Sequence, residues 1–329
     1  MNANQQRMLT IAIPTYNRLL FLKKNVLQLE HMILELDVTE KVGILVMDNA
    51  STDGTDKLFS DESVWRIQIQ YRRNKKNIGP IKNIAQLFGI VDSKYMMLLG
   101  DDDFISKEYL QRVLECLEEE VSCIIPSYVN VDLNGKKNGR GRDLEVPSRE
   151  YEAGFLNCLE NAWRGHQLSG LVCRVSGIMK QIEEKDIYNY YLQIYAVGYC
   201  CLHGKTYHIT EYPICVTRPP QKNKEWGYGD DGLVSDVFSN FVKLDINDFQ
   251  KMQLEMKFLI DQYWRYAMYL KRGIGKFVMC IVKIIKSPNT VWPAKIMFGF
   301  SFMFILGWKA ISLLFSGKLW KTLATKVDI

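Results

Sequence analysis

Near its start the chain reads Leu9-Thr10-Ile11-Ala12-Ile13-Pro14-Thr15-Tyr16-Asn17. A short apolar run that ends in a proline and a polar turn predicts a buried strand that leads into a loop. Directly after it, apolar residues between Leu19 and Leu36 recur at intervals of three and four, which predicts one face of a helix. This strand and this helix form the first unit of a predicted α/β fold.

The same unit recurs up to about residue 120. Residues 42–47, 67–71 and 95–99 are strand-like apolar runs, and helices are predicted after Pro80 and after Ser106. Strands that alternate with helices form crossovers between parallel strands. We therefore expect a mostly parallel sheet with helices on both faces, and a ligand site at the carboxyl ends of its strands.

The predicted elements continue after residue 120. They are strands at 123–129, 167–175 and 206–216, a polar loop at 134–143, a helix at 188–202 and a loop at 218–231. The strand at 206–216 is expected to close the sheet.

Composition limits the class of protein. Of the 329 residues, 47% are hydrophobic and 24% are charged, which excludes a disordered or low-complexity chain. The eight cysteines form no C-x-x-C pair, so neither a zinc module nor a disulfide framework is expected. Met1–Thr10 contains no apolar signal sequence, and we expect a reducing cytoplasm. We predict a catalytic domain at 1–240 and a C-terminal helical segment at 241–329.

Three adjacent carboxylates, Asp101 to Asp103, follow the predicted strand at 95–99. Their mutual repulsion is costly unless a cation neutralises them, and all-oxygen ligands suit Mn²⁺ or Mg²⁺. The alternative is a solvated acidic turn. Asp48 ends the second predicted strand, and the basic stretch 72–79 lies at the same predicted sheet edge.

Together these stretches resemble family 2 glycosyltransferases with the GT-A fold, a Rossmann-like, mostly parallel sheet flanked by helices. The resemblance covers about residues 8–120, and its order and spacing are more specific than any single motif. The matching stretches are Thr10-Ile11-Ala12-Ile13-Pro14-Thr15-Tyr16-Asn17-Arg18, Val46-Met47-Asp48-Asn49-Ala50-Ser51-Thr52-Asp53-Gly54-Thr55, Asn77-Ile78-Gly79 with Asn83, and Gly100-Asp101-Asp102-Asp103.

The resemblance implies a nucleotide-sugar site. Pro14, Tyr16 and Asn17 would border the nucleotide base, and Asp48 would bind the base, which is uracil if the donor is a UDP-sugar. Asn83 would lie near the ribose or the diphosphate.

The resemblance also implies that Asp101 to Asp103 form a D-x-D motif that binds Mn²⁺ or Mg²⁺. Asp103 would be the principal metal ligand, with Asp101 as a second ligand. Whether Asp101 or Asp102 contacts the ribose stays open, because three consecutive aspartates allow two registers. The metal would neutralise the departing diphosphate as a Lewis acid.

Direct inversion at the anomeric carbon requires a carboxylate that takes the proton of the acceptor hydroxyl. The family commonly places it at the start of the helix before the last strand of the sheet, a region that reads 183–193 in this chain. Asp186 is the first candidate and Asp231 is the second. For each of them the alternative is a helix-capping or loop acid.

The C-terminal segment is strongly basic. Residues 265–329 carry 11 Lys or Arg and one acid, whereas residues 1–264 have a net charge of −5. The apolar stretch 294–315 is interrupted by lysines and falls short of a membrane span, so helices that lie on an anionic membrane are predicted, with apolar residues such as Phe277 and Ile281 opposite lysines such as Lys283. The alternative is a buried helical hairpin.

These features predict a metal-dependent, inverting enzyme that moves a sugar from a nucleotide-sugar to a lipid-linked or cell-surface glycan. It would act as a peripheral or monotopic protein on the cytoplasmic face of the membrane, without a nucleic-acid partner. A catalytically silent nucleotide-sugar-binding or scaffold protein is the alternative. A nucleotidyltransferase would need a glycine-rich loop near the first strand, and the sequence has none there.

Overall fold

A computed structural model of the protein describes residues 6–218, 228–300 and 302–303. The chain divides into two compact units, residues 1–222 and 223–329. The domain boundary predicted at 240 falls within the helix Val234–Val242 of the second unit.

The described part of the first unit contains one eight-stranded sheet with the order β3-β2-β1-β4-β7-β5-β8-β6. Its strands are β1 (Leu9–Thr15), β2 (Val42–Asp48), β3 (Ile69–Arg73), β4 (Tyr95–Leu98), β5 (Cys123–Val131), β6 (Arg149–Tyr151), β7 (Val172–Arg174) and β8 (Thr206–Thr217). β1, β2, β3 and β4 are mutually parallel, and β5 pairs with β8 in parallel. β7 pairs antiparallel with β4 and β5, and β6 pairs antiparallel with β8. The predicted mostly parallel sheet is confirmed.

Because β7 runs antiparallel to both of its neighbours, β5 has the same direction as β4. The carboxyl ends of β1, β2, β4, β5 and β8 therefore lie at one edge of the sheet, which we call the carboxyl edge. Strands β2 and β4 are buried along their whole length, as their continuous apolar runs require.

Helices cover the sheet. They are α1 (Leu19–Glu35), α2 (Thr55–Leu58), α3 (Pro80–Ala85), α4 (Leu87–Ile90), α5 (Lys107–Glu118), α6 (Phe155–Asn161), α7 (Ile178–Glu184) and α8 (Leu192–His203), with 3-10 turns at Glu62–Val64 and Ala162–His166. α1 buries Leu22, Val26, Leu29 and Ile33, the apolar positions that predicted it. α5 begins after Ser106, whose hydroxyl accepts a hydrogen bond from the backbone N–H of Tyr109.

The strands and helices predicted from the sequence agree best with the structure before residue 120, and only in part beyond it. The strand predicted at 167–175 is confined to β7, because Gly170 has φ of 82° and breaks the extended backbone. The helix predicted from residue 188 begins only at Leu192, because the Asn189 side chain accepts the backbone N–H of Tyr191 in a turn. β6 and α6 were not predicted. The strand at 206–216 was expected to close the sheet, but β6 pairs with the outer side of β8 and is the last strand in the order.

The described part of the second unit is helical. It contains α9 (Val234–Val242), α10 (Asp248–Asp261), α11 (Trp264–Lys271), α12 (Ile274–Lys286) and a helical stretch at 292–300. Asn247 caps α10 in a reciprocal capping box with Gln250. Phe238, Phe241 and Phe258 pack edge to face in its core. None of the helices that the structure describes is long and apolar enough to cross a membrane.

The apolar face of α12 differs from the sequence-based expectation. Phe277, Ile281 and Ile284 are buried, and the Phe277 ring lies 5.7 Å from that of Phe302. The side chains of this face pack against apolar residues of the same unit. The part of the apolar stretch 294–315 from residue 304 onward lies outside the described residues, as do residues 219–227 of the predicted loop.

Candidate active site

Asp48 occupies the end of β2 at the carboxyl edge, and its carboxylate is fully buried (0% exposed). Its Oδ1 accepts the backbone N–H of Ser51 at 2.9 Å and the Ser51 hydroxyl at 2.5 Å. Its Oδ2 accepts the Tyr71 hydroxyl at 2.6 Å and lies 3.3 Å from Nε of Arg73. Burial and the nearby Asp48 charge raise the pKa of Tyr71, so this hydroxyl stays protonated and donates. Four donors therefore already hold the carboxylate that was predicted to bind a base.

An amide network fixes the loop beside Asp48. Asn49 donates to Asn77 Oδ1 at 2.8 Å, and Asn74 donates to Oδ1 of Asn49 and of Asn83. Asn83 is buried and donates to the carbonyl of Met47 at 3.1 Å. Asn83 thus lies at the predicted edge, where it positions the loop through both ends of its amide.

Pro14 lies near the end of β1, and Tyr16 and Asn17 lie in the loop that follows it. Asn17 has φ of 53°, its backbone N–H donates to the Ser51 hydroxyl, and its Oδ1 accepts the backbone N–H of Thr52. The left-handed backbone is one that Asn tolerates better than most residues. These bonds join the loops after β1 and β2, and they place Asn17 beside Ser51, which in turn contacts Asp48.

The acidic cluster, Asp101 to Asp103, follows β4 at the same edge. Arg18 Nη1 lies 3.0 Å from Asp101 Oδ1 and 3.1 Å from Asp102 Oδ2, and the Thr15 hydroxyl donates to Asp101 Oδ2 at 2.7 Å. Burial raises the pKa of Asp101 to about 6; Arg18 opposes this shift and Asp102 adds to it. A guanidinium thus holds two of the three carboxylates.

Asp103 is tied to the opposite half of the sheet. Its Oδ1 accepts the backbone N–H of Thr217 at 2.9 Å, and its Oδ2 accepts the Ser169 hydroxyl and the Gln167 amide, the latter at 3.4 Å. Burial, followed by repulsion from Asp102, raises the pKa of Asp103 to about 7. The side chain of Asp102 is 17% exposed against 5% for Asp101. Asp102 is therefore the carboxylate of the cluster that faces outward most.

The residues present suit a divalent cation in one respect. Asp101 and Asp102 offer hard oxygen donors of the kind that Mg²⁺ prefers. In the structure both carboxylates pair with the positively charged guanidinium of Arg18. Within the described residues no group of three or more His, Cys, Asp or Glu side chains has the arrangement of a metal site by itself. A metal at this position would therefore take part of its coordination from water and substrate oxygens, as Mg²⁺ commonly does.

The two candidates for the catalytic base lie in different settings. Asp186 is exposed and has φ of 50° in the connection between α7 and α8, six residues before the first residue of α8. Asp231 belongs to the second unit, where its carboxylate accepts the backbone N–H groups of Leu233 and Ser235 at the start of α9. Asp231 thus satisfies backbone donors at the start of α9, although the N-cap residue of that helix is Leu233.

Sequence reasoning missed the partners of the acidic cluster. Arg18 belongs to the first stretch that resembles the family, but no role was predicted for it. Ser169 and Thr217 are 66 and 114 residues from Asp103, so no local pattern connects them.

A group of aromatic rings also went unrecognised. His166 stacks on Trp163 at 5.6 Å, meets Tyr128 edge-on at 6.4 Å and directly precedes Gln167. Its Nδ1 lies 3.0 Å from the Trp163 carbonyl, which can only accept, so this contact requires a proton on Nδ1.

Comparison with known proteins gives consistent results. A family model described as glycosyl transferase family 2 matches residues 10–186. Abequosyltransferase RfbV of Salmonella typhimurium is 33% identical over 111 residues, which are 31% of this chain and 30% of that protein. Uncharacterized glycosyltransferase MG025 of Mycoplasma genitalium is 27% identical over 105 residues, 32% of this chain and 34% of that protein. Each alignment thus spans about a third of the relative's own length.

Among solved structures, S. aureus TarS 1-349 in complex with UDP-GlcNAc is similar, with a TM-score of 0.62 and 16% identity over 84% of this chain and 80% of that one. The same protein in complex with UDP gives a TM-score of 0.61. At this identity the likeness shows the fold, which is the GT-A fold that the sequence predicted.

Proposed function

The chain belongs to glycosyl transferase family 2, and from this premise we propose that it transfers a sugar from a UDP-sugar to a glycan acceptor. The observation that supports the proposal most is that Asp48 and the acidic cluster Asp101 to Asp103, which are distant in sequence, lie at one edge of a GT-A sheet within the family match. The edge thereby offers a hydrogen-bond acceptor for a base and carboxylates that could hold a cation beside a diphosphate.

The donor site that we propose lies between the loops after β1 and β2. Asp48 would accept the ring N–H of uracil, and its other partners favour this because Ser51 and Arg73 keep the carboxylate oriented. The Tyr71 hydroxyl would have to leave Asp48 Oδ2, since that oxygen is already engaged. The TarS structures, one with UDP and one with UDP-GlcNAc, support a UDP-linked donor.

We propose that Mn²⁺ or Mg²⁺ is needed, held by the acidic cluster. When bound, such an ion neutralises the negative charge of a departing diphosphate. Asp102 faces outward and Asp101 lies beside it, so these two would supply the protein oxygens, while Asp103 fixes the cluster to Ser169 and Thr217. This differs from the expectation that Asp103 is the principal ligand.

Transfer with inversion needs a group that removes the proton of the acceptor hydroxyl. Asp186 and Asp231 stay the carboxylate candidates. His166 is a third candidate, because an imidazole can carry a proton and its neighbour Gln167 contacts Asp103.

The proposed acceptor is a lipid-linked or cell-surface glycan, with the enzyme held at the cytoplasmic face of the membrane. Trp292, Ile296, Phe300 and Met303 are exposed large apolar side chains with the spacing of one helix face. Residues 265–329 add 11 basic side chains against one acid, so apolar insertion and attraction to anionic lipid would act together. This face replaces the buried face of α12 as the proposed membrane contact.

A donor screen tests the proposed function. The full chain is titrated by calorimetry with UDP-, GDP- and dTDP-sugars, with Mn²⁺ and with EDTA, and hydrolysis of each donor is followed because it needs no identified acceptor. We expect binding of a UDP-sugar that requires Mn²⁺, slow hydrolysis of the same donor, and loss of both in Asp102→Asn. Binding without hydrolysis or transfer to any glycan extract would favour the silent scaffold, and binding of no nucleotide-sugar would refute the proposal.

A further inference from the structure

The side chain of Arg18 bridges the two outer carboxylates of the acidic cluster. One guanidinium nitrogen, Nη1, lies 3.0 Å from Asp101 and 3.1 Å from Asp102. Both distances are those of charge-assisted hydrogen bonds. Arg18 therefore neutralises part of a cluster whose three negative charges would otherwise repel one another at the sheet edge.

The backbone of Arg18 is fixed while its side chain is not enclosed. Arg18 is the N-cap residue of α1, and its carbonyl accepts the backbone N–H groups of Phe21 and Leu22. The side chain remains 28% exposed, so its long arm can turn without disturbing the helix. The guanidinium can thus leave the carboxylates at the cost of two ion pairs and no backbone contact.

A guanidinium and a divalent cation cannot use the same carboxylate oxygens at the same time, because like charges this close repel strongly. A cation that binds Asp101 Oδ1 and Asp102 Oδ2 must therefore displace Arg18. The displaced guanidinium would remain beside the negatively charged diphosphate of a donor bound at this edge, and its planar fork matches phosphate oxygens.

We propose that Arg18 is an internal counter-ion that holds the acidic cluster when no metal is bound, is displaced by Mn²⁺ or Mg²⁺, and then pairs with the donor diphosphate. The second step rests on the proposed function, since it needs a nucleotide diphosphate at this edge. The first step concerns the protein and the metal alone. Arg18 is a positioning residue in this scheme, because it acts through the metal and the donor and not on the reacting bond.

The first test uses Mn²⁺ alone as the probe, with the full chain and no nucleotide. Free Mn²⁺ is measured by electron paramagnetic resonance for the wild type, for Arg18→Gln and for Arg18→Lys. We expect Arg18→Gln to bind Mn²⁺ at least about tenfold more tightly, which is about 1.4 kcal/mol, because the competing cation is gone. Arg18→Lys keeps the charge and should stay near the wild type.

Lys23→Gln is the matched control, since it removes one exposed positive charge from α1 without a contact to the cluster. It should leave the Mn²⁺ affinity within twofold of the wild type. Thermal unfolding gives a second readout: Mn²⁺ should raise the melting temperature of Arg18→Gln more than that of the wild type. Equal or weaker Mn²⁺ binding by Arg18→Gln would overturn the proposal, as would a gain of the same size in Lys23→Gln.

The second test adds UDP at saturating Mn²⁺. We expect Arg18→Gln to bind UDP at least about tenfold more weakly than the wild type but to bind uridine equally well, because uridine has no diphosphate. Unchanged UDP affinity would refute the pairing with the diphosphate. Failure of the proposed function is distinguishable, because an enzyme that uses no UDP-sugar still gives a decisive Mn²⁺ result.

Discussion

Replacing Asp103 separates the hydrogen bonds that this side chain makes from the charge that it carries. Asp103→Ala removes the acceptor of the Thr217 N–H at 2.9 Å and of the Ser169 hydroxyl. An unsatisfied buried donor costs roughly 1 to 3 kcal/mol, and the Ser169 hydroxyl can rotate to another acceptor, so the N–H dominates. Asp103→Asn keeps an acceptor oxygen for Thr217 and has no charge. We expect Asp103→Asn to be more stable than Asp103→Ala by about 2 kcal/mol at every pH.

The assay is urea unfolding of the full chain in EDTA, followed by circular dichroism between pH 5 and 8. The wild type should lose stability relative to Asp103→Asn as the pH rises, because the pKa of Asp103 is raised to about 7 by burial and the folded protein retains a proton that the unfolded chain has released. The slope is at most about 1.4 kcal/mol per pH unit and ends above pH 7. Equal stability of the two variants would refute the hydrogen-bonding role, and a constant difference between the wild type and Asp103→Asn would refute the cost of the buried charge.

Three further predictions concern other parts of the molecule. Glu255→Gln should gain stability over the wild type as the pH rises from about 4.5 to 8. Burial raises the pKa of Glu255 to about 8, so the wild type loses stability over that interval. Thermal unfolding at a series of pH values measures the difference. Asp48→Asn should lower UDP affinity in calorimetry at least about tenfold and remove the preference for UDP over GDP, and equal inhibition of the wild type by both nucleotides would contradict the uracil assignment. The double variant Trp292→Ser, Phe300→Ser should lose most of its binding to anionic liposomes in co-sedimentation without a change in melting temperature, and unchanged binding would exclude this face.

The sequence predicted the first four strands because their signals are local. β1, β2 and β4 are continuous apolar runs, and such runs are buried on both faces of a parallel sheet whatever their distant partners are. The predicted strand at 67–71 differs from β3 by two residues, because Ile67 is apolar but lies outside the ladder that β3 forms with β2. Local apolarity indicates that a strand exists but does not set its register.

The sequence predicted only the part of the site that lies at the ends of the parallel strands. Asp48 and Asp101 could be placed at one edge because each follows a parallel strand. The contacts of Asp103 with Ser169 and Thr217 could not be predicted, because they depend on the short antiparallel strand β7 between β4 and β5. β7 has only three residues, so its signal is too short to separate from a loop.

The three aspartates of the acidic cluster differ in burial and in their hydrogen-bond partners. Asp101 and Asp103 are nearly enclosed, and each is tied to a strand on its own side, Asp101 to β1 through Thr15 and Asp103 to β8 through Thr217. Burying two carboxylates raises their pKa values, and this cost is tolerable only where hydrogen bonds and a cation offset it. The middle residue, Asp102, has the larger exposed fraction, and its Oδ2 lies 3.1 Å from Nη1 of the partly exposed Arg18. The two enclosed carboxylates therefore fix the position of the cluster, and Asp102 is the carboxylate at which the proposed exchange of one cation for another would be easiest.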